Sequence, residues 1–225
     1  MNSCYNHYII EKDSNMKTKT IVITALTVAL CLSLISCKKD ILTSAKDETI
    51  SSAAKRSKPV KRAYRDNFDT WYQFIPDIAN GWDPANPTPF LAWYPGGGDG
   101  HATHMGNAKT YFNQYIPFNP TLFSSVPAPV IMFFSSQLSA AGFTGIPSDV
   151  SSIVYDDKGN SIWFHQRSNS STPVSEVRIN FTGTLNIIGG TGKFSGATGD
   201  VNLNGFFNPQ DQQDASVWSN GRISY

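Results

Sequence analysis

An aspartate and two histidines close together are the first residues whose types suggest metal chemistry. Asp99, His101 and His104 lie in the segment DGHATH. Carboxylate and imidazole groups bind zinc, but no further nitrogen or sulfur ligand stands at a conventional spacing from them. In a strand, His101 and His104 would also point to opposite faces. The sequence therefore predicts no metal site, and it favours a structural hydrogen bond for His104.

Tryptophan rings offer a second kind of chemistry, because a flat ring can stack on a sugar ring or an apolar ligand. The candidates for such a wall are Trp71, Trp82, Trp93 and Trp163, and the polar candidates are His104 and His165. Aromatic side chains also dominate the cores of β proteins, so core packing is the alternative for each ring. These six residues are the predicted ligand-binding candidates.

Five glycines surround a lysine in IIGGTGKFSGATGD, residues 187–200. A Walker phosphate loop needs serine or threonine after its Gly-Lys pair, whereas Phe194 follows Lys193 here. A dinucleotide-binding loop must open a helix, and the residues that follow show no helical pattern. The stretch is therefore predicted to turn between two strands. Phe194 would close one end of a barrel, and Ala197 would allow close backbone packing.

Catalytic groups are scarce in the sequence. The three cysteines are Cys4, Cys31 and Cys37, so residues 38–225 contain no cysteine nucleophile, disulfide or thiolate metal ligand. The Gly-x-Ser-x-Gly motif of hydrolases does not occur, and the carboxylates within the predicted strands suggest no acid–base pair. We predict no catalytic residue and no cofactor, and whether the protein is an enzyme stays open.

The N-terminal segment has the layout of a secretory signal. Lys17 and Lys19 precede the apolar run IVITALTVALCLSLI, residues 21–35. This run is too short for a membrane-spanning helix, which needs about 20 apolar residues, but it is typical of a signal peptide after a basic start. The following LISC, residues 34–37, resembles a bacterial lipobox. The resemblance implies cleavage before Cys37, which then carries the lipid.

Three regions follow from this layout: a signal peptide over residues 1–36, a lipidated linker over 37–66 and a β-barrel domain over 67–225. Glu11 and Asp13 do not suit the start of a signal peptide, so translation is predicted to begin at Met16. The linker has too few large apolar residues to fold alone. The lipid on Cys37 would anchor the protein in the bacterial cell envelope, on the periplasmic or surface face of the outer membrane.

Alternation of apolar and polar residues is the main structural signal after the linker. From Val177 to Ile187 the odd positions are apolar or glycine and the even positions are polar, as in a strand with one buried face. VSSIVYDDKGNSIWFHQ predicts a hairpin, and PVIMFFSS, residues 129–136, predicts a strand buried on both faces. About eight such strands without a helical pattern indicate an all-β fold, an antiparallel closed barrel.

Two motifs resemble those of a known barrel family. GTGKFSGATG, residues 190–199, and ATHMG, residues 102–106, are similar to segments of the allene oxide cyclase and dirigent barrels and of secreted bacterial relatives. The resemblance covers about residues 90–225. It implies the closed barrel, with ATHMG in an early strand, and such barrels often form homo-oligomers. The cyclases isomerise an epoxide in their cavity and dirigent proteins steer radical coupling, but no motif here allows their functional residues to be aligned with this chain, so none is carried over.

The function stays open between three hypotheses. A net charge of +1 argues against a nucleic-acid partner. The preferred hypothesis is a cell-envelope lipoprotein whose barrel binds a partner or a small apolar or sugar ligand, since barrels of eight strands can hold one small ligand. A cyclase or isomerase would need an open cavity with a buried carboxylate, tyrosine or histidine. A glycan-binding surface lipoprotein would need exposed, coplanar tryptophans.

Overall fold

The computed structural model describes residues 59–83, 85, 91–117 and 124–225. The predicted signal peptide, Met16, Cys37 and the linker up to residue 58 lie outside the described residues. In chain order the described elements are β1 (Lys61–Tyr72), β2 (Ile75–Pro76), β3 (Ala92–Trp93), β4 (Gly96–Ala102), β5 (Gly106–Phe112), β6 (Gln114–Ile116), β7 (Val126–Pro127), α1 (Ile131–Ala140), β8 (Ser152–Tyr155), β9 (Ser161–Ser175), β10 (Arg178–Thr191), β11 (Thr198–Asn208) and β12 (Asp211–Ser224). No helix in these ranges is long and apolar enough to cross a membrane.

Eight strands form a closed antiparallel barrel in the order β1-β12-β11-β10-β9-β8-β5-β4. The predicted all-β closed barrel is therefore confirmed. Closure gives every strand of the barrel a paired neighbour on each side. We call the end where β1 begins the closed end, and the end where β1 finishes at Tyr72 the mouth. A second sheet of four short strands, in the order β2-β3-β6-β7, supplies residues near the mouth.

The alternation read from the sequence sets which side chains enter the barrel. On β10, Leu185 and Ile187 are buried while Asn180 and Thr182 are exposed, so the long strand predicted here is confirmed. The predicted hairpin is confirmed as β8 and β9, which pair with each other across the turn at residues 156–160. In these strands, one face carries apolar side chains, and this face is buried in the barrel because burial removes apolar surface from water.

The glycine-rich stretch turns the chain at the closed end, as predicted. A short 3-10 turn over Gly192–Phe194 joins β10 to β11, and Gly192 and Gly196 adopt φ values of 59° and 73° that favour glycine. Phe194 and Ala197 have no exposed surface and belong to the main core of the barrel. The ring of Phe194 therefore fills the closed end.

The predicted strand at residues 129–136 is wrong, because the chain forms helix α1 there. Phe134 and Leu138 lie four positions apart and are the buried residues of the helix. They join Val150, Ile153 and other residues in a second apolar cluster on the outer side of the barrel wall. A short apolar run does not distinguish a buried strand from a buried helical segment, which explains the error.

Two boundaries also differ from the sequence prediction. Strand β1 begins at Lys61, so residues 61–66 of the predicted linker belong to the barrel wall. The ATHMG motif is not a strand: Ala102 ends β4, residues 103–105 form a turn and Gly106 begins β5. Strand β4 itself, GGGDGHA, has too few side chains to show any alternation, so it could not be predicted from the pattern of residues.

Replacing Phe194 should destabilise the barrel by opening a void at the closed end. Loss of a buried phenylalanine to alanine costs about 3–5 kcal/mol, and Phe194 is 0% exposed. We expect Phe194→Ala to lower the free energy of unfolding in urea by that amount. The matched control is Ile188→Ala in the same stretch, where the side chain is 37% exposed and the loss should stay below about 1 kcal/mol. Equal losses in the two variants would contradict the plug.

Candidate ligand-binding cavity

The barrel encloses a cavity of about 930 Å³ that reaches the mouth. Its lining runs from Asp66 and Phe164 inside the barrel to two exposed residues, Pro209 in the turn between β11 and β12 and Gln212 at the start of β12. The lumen is therefore open rather than filled with side chains. A volume of this size lies within the range of about 300–1,000 Å³ that is usual for small-molecule sites.

Most of the cavity wall is apolar. Phe68 of β1, Phe164 of β9, Leu185 of β10, Leu203 of β11 and Val217 of β12 all line it. These positions are the inward-facing ones of five neighbouring strands, so the alternation of each strand brings its apolar residues to one surface. Such a wall favours a ligand with a large apolar body, because burial removes that body from water.

Glycines of β4 make room for the inward residues of β1. Gly98 and Gly100 lie opposite Thr70 and Phe68 in the pairing of the two strands. A Cβ atom on Gly100 would lie 2.7 Å from Cδ1 of Phe68, and one on Gly98 would lie 2.8 Å from Cγ2 of Thr70. A larger residue at either position would displace its β1 neighbour, so the glycines set the position of this wall.

Asp66 is the carboxyl group among the described residues that line the cavity. Its Oδ2 accepts a hydrogen bond of 2.9 Å from the Tyr64 hydroxyl, and its Oδ1 accepts bonds of 2.7 Å from both the backbone N–H and the hydroxyl of Ser219. The residue keeps some accessible surface, which the cavity provides. The carboxyl group is therefore held in a fixed orientation by neutral donors.

Burial changes the acidity of this pair. Loss of hydration raises the pKa of Asp66 above its ordinary value of 3.8, and the hydrogen bonds from Ser219 and Tyr64 act in the opposite direction. Burial also raises the pKa of the Tyr64 hydroxyl, with the Asp66 charge adding to this effect. Tyr64 therefore stays a protonated donor while Asp66 is the group that gains or loses a proton.

One side of the cavity near the mouth is polar. Oε1 of Gln114 accepts hydrogen bonds of 2.7 Å from the Ser125 hydroxyl and 2.9 Å from the Asn169 amide. Nε2 of Gln166 donates to the Ser125 carbonyl at 3.0 Å. These uncharged side chains line the cavity and join β6 and β9 to the segment before β7. They provide amide and hydroxyl groups without adding a charge.

Two tyrosines stand at the mouth. Tyr72 and Tyr94 stack with ring centroids 5.8 Å apart, and the Tyr72 hydroxyl donates a 2.8 Å hydrogen bond to the Asn208 carbonyl. Burial, with the nearby charge of Asp211, raises the pKa of Tyr72 to about 12, and burial raises the pKa of Tyr94 as well. Both phenols therefore remain protonated and neutral at ordinary pH.

The six predicted ligand-binding residues do not line this cavity. Trp71 and Trp163 pack against the apolar cluster of α1 outside the wall, and the Trp71 ring meets Phe134 at 6.0 Å. The Trp93 ring lies 4.4 Å from the Tyr115 ring. In the structure, the rings of Trp71, Trp93 and Trp163 pack against neighbouring side chains. A ligand-binding role for them stays a prediction.

The remaining candidates are also held by their neighbours. The Trp82 ring lies 6.3 Å from the Phe74 ring. His104 sits in the β4–β5 turn with φ 68°, and its Nε2 hydrogen-bonds to the Ala63 carbonyl at 2.9 Å, as the structural interpretation expects. Nδ1 of His165 bonds to the Asp149 carbonyl at 2.8 Å. A role in ligand binding for these three residues likewise stays a prediction.

The described residues contain neither a sugar-binding pair of tryptophans nor a group of metal ligands. Of the five tryptophans, Trp218 alone is strongly exposed, at 41%, so the pair of exposed coplanar rings needed for a sugar platform is not present among them. No cluster of histidine, cysteine and carboxylate ligands suited to a metal occurs in the described residues.

Sequence reasoning missed Asp66, although a signal for it was present. Tyr64, Asp66, Phe68, Thr70 and Tyr72 occupy every second position and face the barrel interior together. The alternation was hidden because the charged residues between them resemble the linker that precedes them. If the strand had been predicted to begin at residue 61 instead of 67, its apolar face would have included the carboxylate of Asp66.

Comparisons with protein-family models, with curated proteins and with solved structures found no match to this chain.

The raised pKa of Asp66 gives the barrel a specific dependence of stability on pH. The folded protein holds the Asp66 proton more tightly than the unfolded chain does, so its contribution to stability is full below the ordinary pKa of 3.8 and is lost as the pH rises through the folded pKa. Asp66→Asn removes this loss. We therefore expect its stability relative to wild type to increase from about pH 4 to about pH 8 in urea unfolding.

The control for this measurement is Asp69→Asn on the same strand, where the side chain is exposed on the outer face. Its stability should follow that of wild type across the same range. If Asp66→Asn and wild type changed in parallel with pH, ionisation of the buried carboxyl group would not be the cause.

Proposed function

We propose that this protein is a cell-envelope lipoprotein whose barrel binds a small, mainly apolar molecule in its lumen. The observation that carries the proposal is the open cavity of about 930 Å³. The exposed surface of its wall is mostly apolar, with polar groups held at Asp66 and on the Gln114 side, and such a surface is usual for small-molecule sites. The apolar body of a ligand would lie against residues such as Phe68, Phe164 and Leu203, and its polar atoms would find Asp66 or the Gln114 side.

The lipid anchor at Cys37 is the second part of the proposal. It rests on the sequence, where a basic start, a short apolar run and LISC stand in the order of a lipoprotein signal. Several acyl chains are enough for stable membrane anchoring, because each buried methylene contributes about 0.8 kcal/mol. The proposed location is the outer membrane of a bacterial envelope, on its periplasmic or surface face.

The chain enters the barrel on the side away from the cavity entrance. Val60 and Lys61 lead into β1 at the closed end, where the Val60 N–H donates to the Tyr225 carbonyl. The described residues before β1 therefore do not cross the mouth. An entrance that Val60 and Lys61 do not cross suits a barrel that receives its ligand from the surrounding solution.

A cyclase or isomerase acting in the same cavity is the second candidate function. The observation that favours it is Asp66, a buried carboxyl group that lines the cavity and has a raised pKa, as a general acid or base requires. The two functions differ in what happens to the ligand. An isomerase returns a compound of equal mass and altered chromatographic retention, whereas a binding protein returns its ligand unchanged.

Filling the lumen should abolish binding. Ala215 lines the cavity and pairs with Thr70 on one side and Phe207 on the other, so Ala215→Trp places an indole in the ligand volume. We expect the affinity for the neutral apolar dye N-phenyl-1-naphthylamine to fall about tenfold or more, measured by fluorescence titration. The protein would carry Cys37→Ala, so that neither lipid nor detergent competes with the dye.

The matched control is Asn220→Trp on the same strand, where the side chain points outward and is exposed. It should bind the dye as the parent protein does. Equal affinity in Ala215→Trp and its parent, with both proteins folded by circular dichroism, would place dye binding outside the lumen and overturn the proposal.

Removal of the lipidated cysteine should abolish lipidation. We expect Cys37→Ala to lose metabolic labelling by palmitate in a bacterial expression host, because the thiol that would carry the lipid is absent. Cys31→Ala, within the predicted apolar run of the signal, should keep the labelling. Labelling that persists in Cys37→Ala would contradict the anchor without affecting the proposal for the cavity.

A further inference from the structure

The charge inside the cavity is of one sign. Among the described residues that line it, Asp66 is the single carboxyl group, there is no lysine, arginine or histidine, and Tyr72 and Tyr94 are the other titratable side chains. The neighbours paired with Asp66 are Ala102 of β4 and Ser219 of β12. All of its hydrogen-bond donors are neutral. An ionised Asp66 therefore has no positive partner within the barrel wall.

A ligand can supply the missing positive charge. A buried ion without a partner is costly, and an opposite charge at hydrogen-bond distance offsets this cost. The attraction is stronger in an apolar cavity than in water because the surrounding medium screens it less. The Asp66 carboxylate already accepts three hydrogen bonds, two on Oδ1 and one on Oδ2, so one lone pair of Oδ2 is free to accept a hydrogen bond from an ammonium group. A carboxylate ligand would instead bring a second negative charge to the same place.

The mouth carries charges of the same sign as Asp66. Asp211 and Asp214 lie among the first residues of β12, next to the β11–β12 turn, and Glu176 lies in the β9–β10 turn at the same end. Asp211 is close enough to raise the pKa of Tyr72 at the cavity entrance. Arg178 is the positive residue beside Glu176, but its guanidinium carbon lies 3.9 Å from the centre of the Phe206 ring and stacks on it. Acidic groups around an entrance attract cations toward it.

We propose that the ligand is a primary amine with an apolar body, and that its ammonium group binds Asp66 while its body lies along the apolar wall toward the mouth. This proposal rests on the binding function proposed for the lumen and specifies the chemical class of the ligand. It assigns Asp66 to charge recognition, with Tyr64 and Ser219 holding the carboxylate in place. Anions of similar shape are excluded by the same group.

Three compounds of equal chain length test the charge preference. Decylamine, decanol and decanoate would displace N-phenyl-1-naphthylamine from the Cys37→Ala protein at about pH 7, where the amine is protonated and the acid is ionised. We expect decylamine to bind about tenfold or more tightly than decanol, and decanoate to bind most weakly. Equal affinities of decylamine and decanol would overturn the proposal.

Substitution of Asp66 identifies the group responsible. Asp66→Asn keeps the size of the side chain and removes its charge, so we expect it to bring decylamine to the affinity of decanol while the affinity for decanol changes little. Asp69→Asn, outward on the same strand, should keep the full preference. A preference for the amine that survives in Asp66→Asn would show that another group recognises the charge, and it would overturn the role of Asp66.

The pH dependence gives an independent readout. Decylamine stays protonated from about pH 4 to about pH 8, because alkyl amines titrate near pH 10. Its affinity should fall toward low pH as Asp66 becomes neutral, whereas the affinity for decanol should stay constant. An amine affinity that is constant over this range, with decanol also constant, would contradict the pairing.

Failure of this inference is distinguishable from failure of the binding function. If the dye and all three compounds fail to bind the folded protein, or if they bind Ala215→Trp as well as its parent, the binding function of the lumen fails. If they bind in the lumen without preference for the amine, the binding function stands and the amine proposal fails.

Discussion

The pairing of β1 with β12 on one side and with β4 on the other closes the barrel, and the cavity depends on this closure. Side chains alternate along a strand, so closure commits Asp66 and Phe68 to the interior together with the rest of their face. A slip of one position would bring Arg65, Asn67 and Asp69 inside instead. The apolar residues on this face therefore specify the register, and the carboxyl group enters the lumen as part of the same row.

Residue size along the inward rows decides where the barrel is filled. At the closed end, Tyr64, Phe194 and Ile223 are fully buried in one core, and this core supports the wall. Toward the mouth, the small side chain of Ala215 lines the cavity and leaves volume open, while Gly98 and Gly100 give space to the Thr70 and Phe68 side chains of β1. The same architecture is thus a packed core at one end and a binding cavity at the other. Asp66 lies between the packed core and the cavity. Neutral donors hold its carboxylate, and the side chain lines the cavity.

The sequence predicts the parts of this structure in which residue type follows burial. The alternation of β10 and the turn around Phe194 were found because their apolar and glycine positions follow the backbone geometry. Strand β4 has almost no side chains, and α1 is built on an apolar run too short to show its period. The candidate site was missed for a related reason: the row of Asp66 begins among charged residues, and Trp71 stands beside that row but faces outward.

A crystal structure with 10-bromodecylamine would test the central claim most directly, because anomalous scattering locates the bromine without reference to the protein. We predict a bromine peak near the Tyr72 and Phe207 rings at the mouth, with the nitrogen at hydrogen-bond distance from the Asp66 carboxylate. A bromine peak deep in the barrel, with the amine at the mouth, would contradict charge recognition by Asp66. A ligand bound only to the outer face would contradict binding in the lumen.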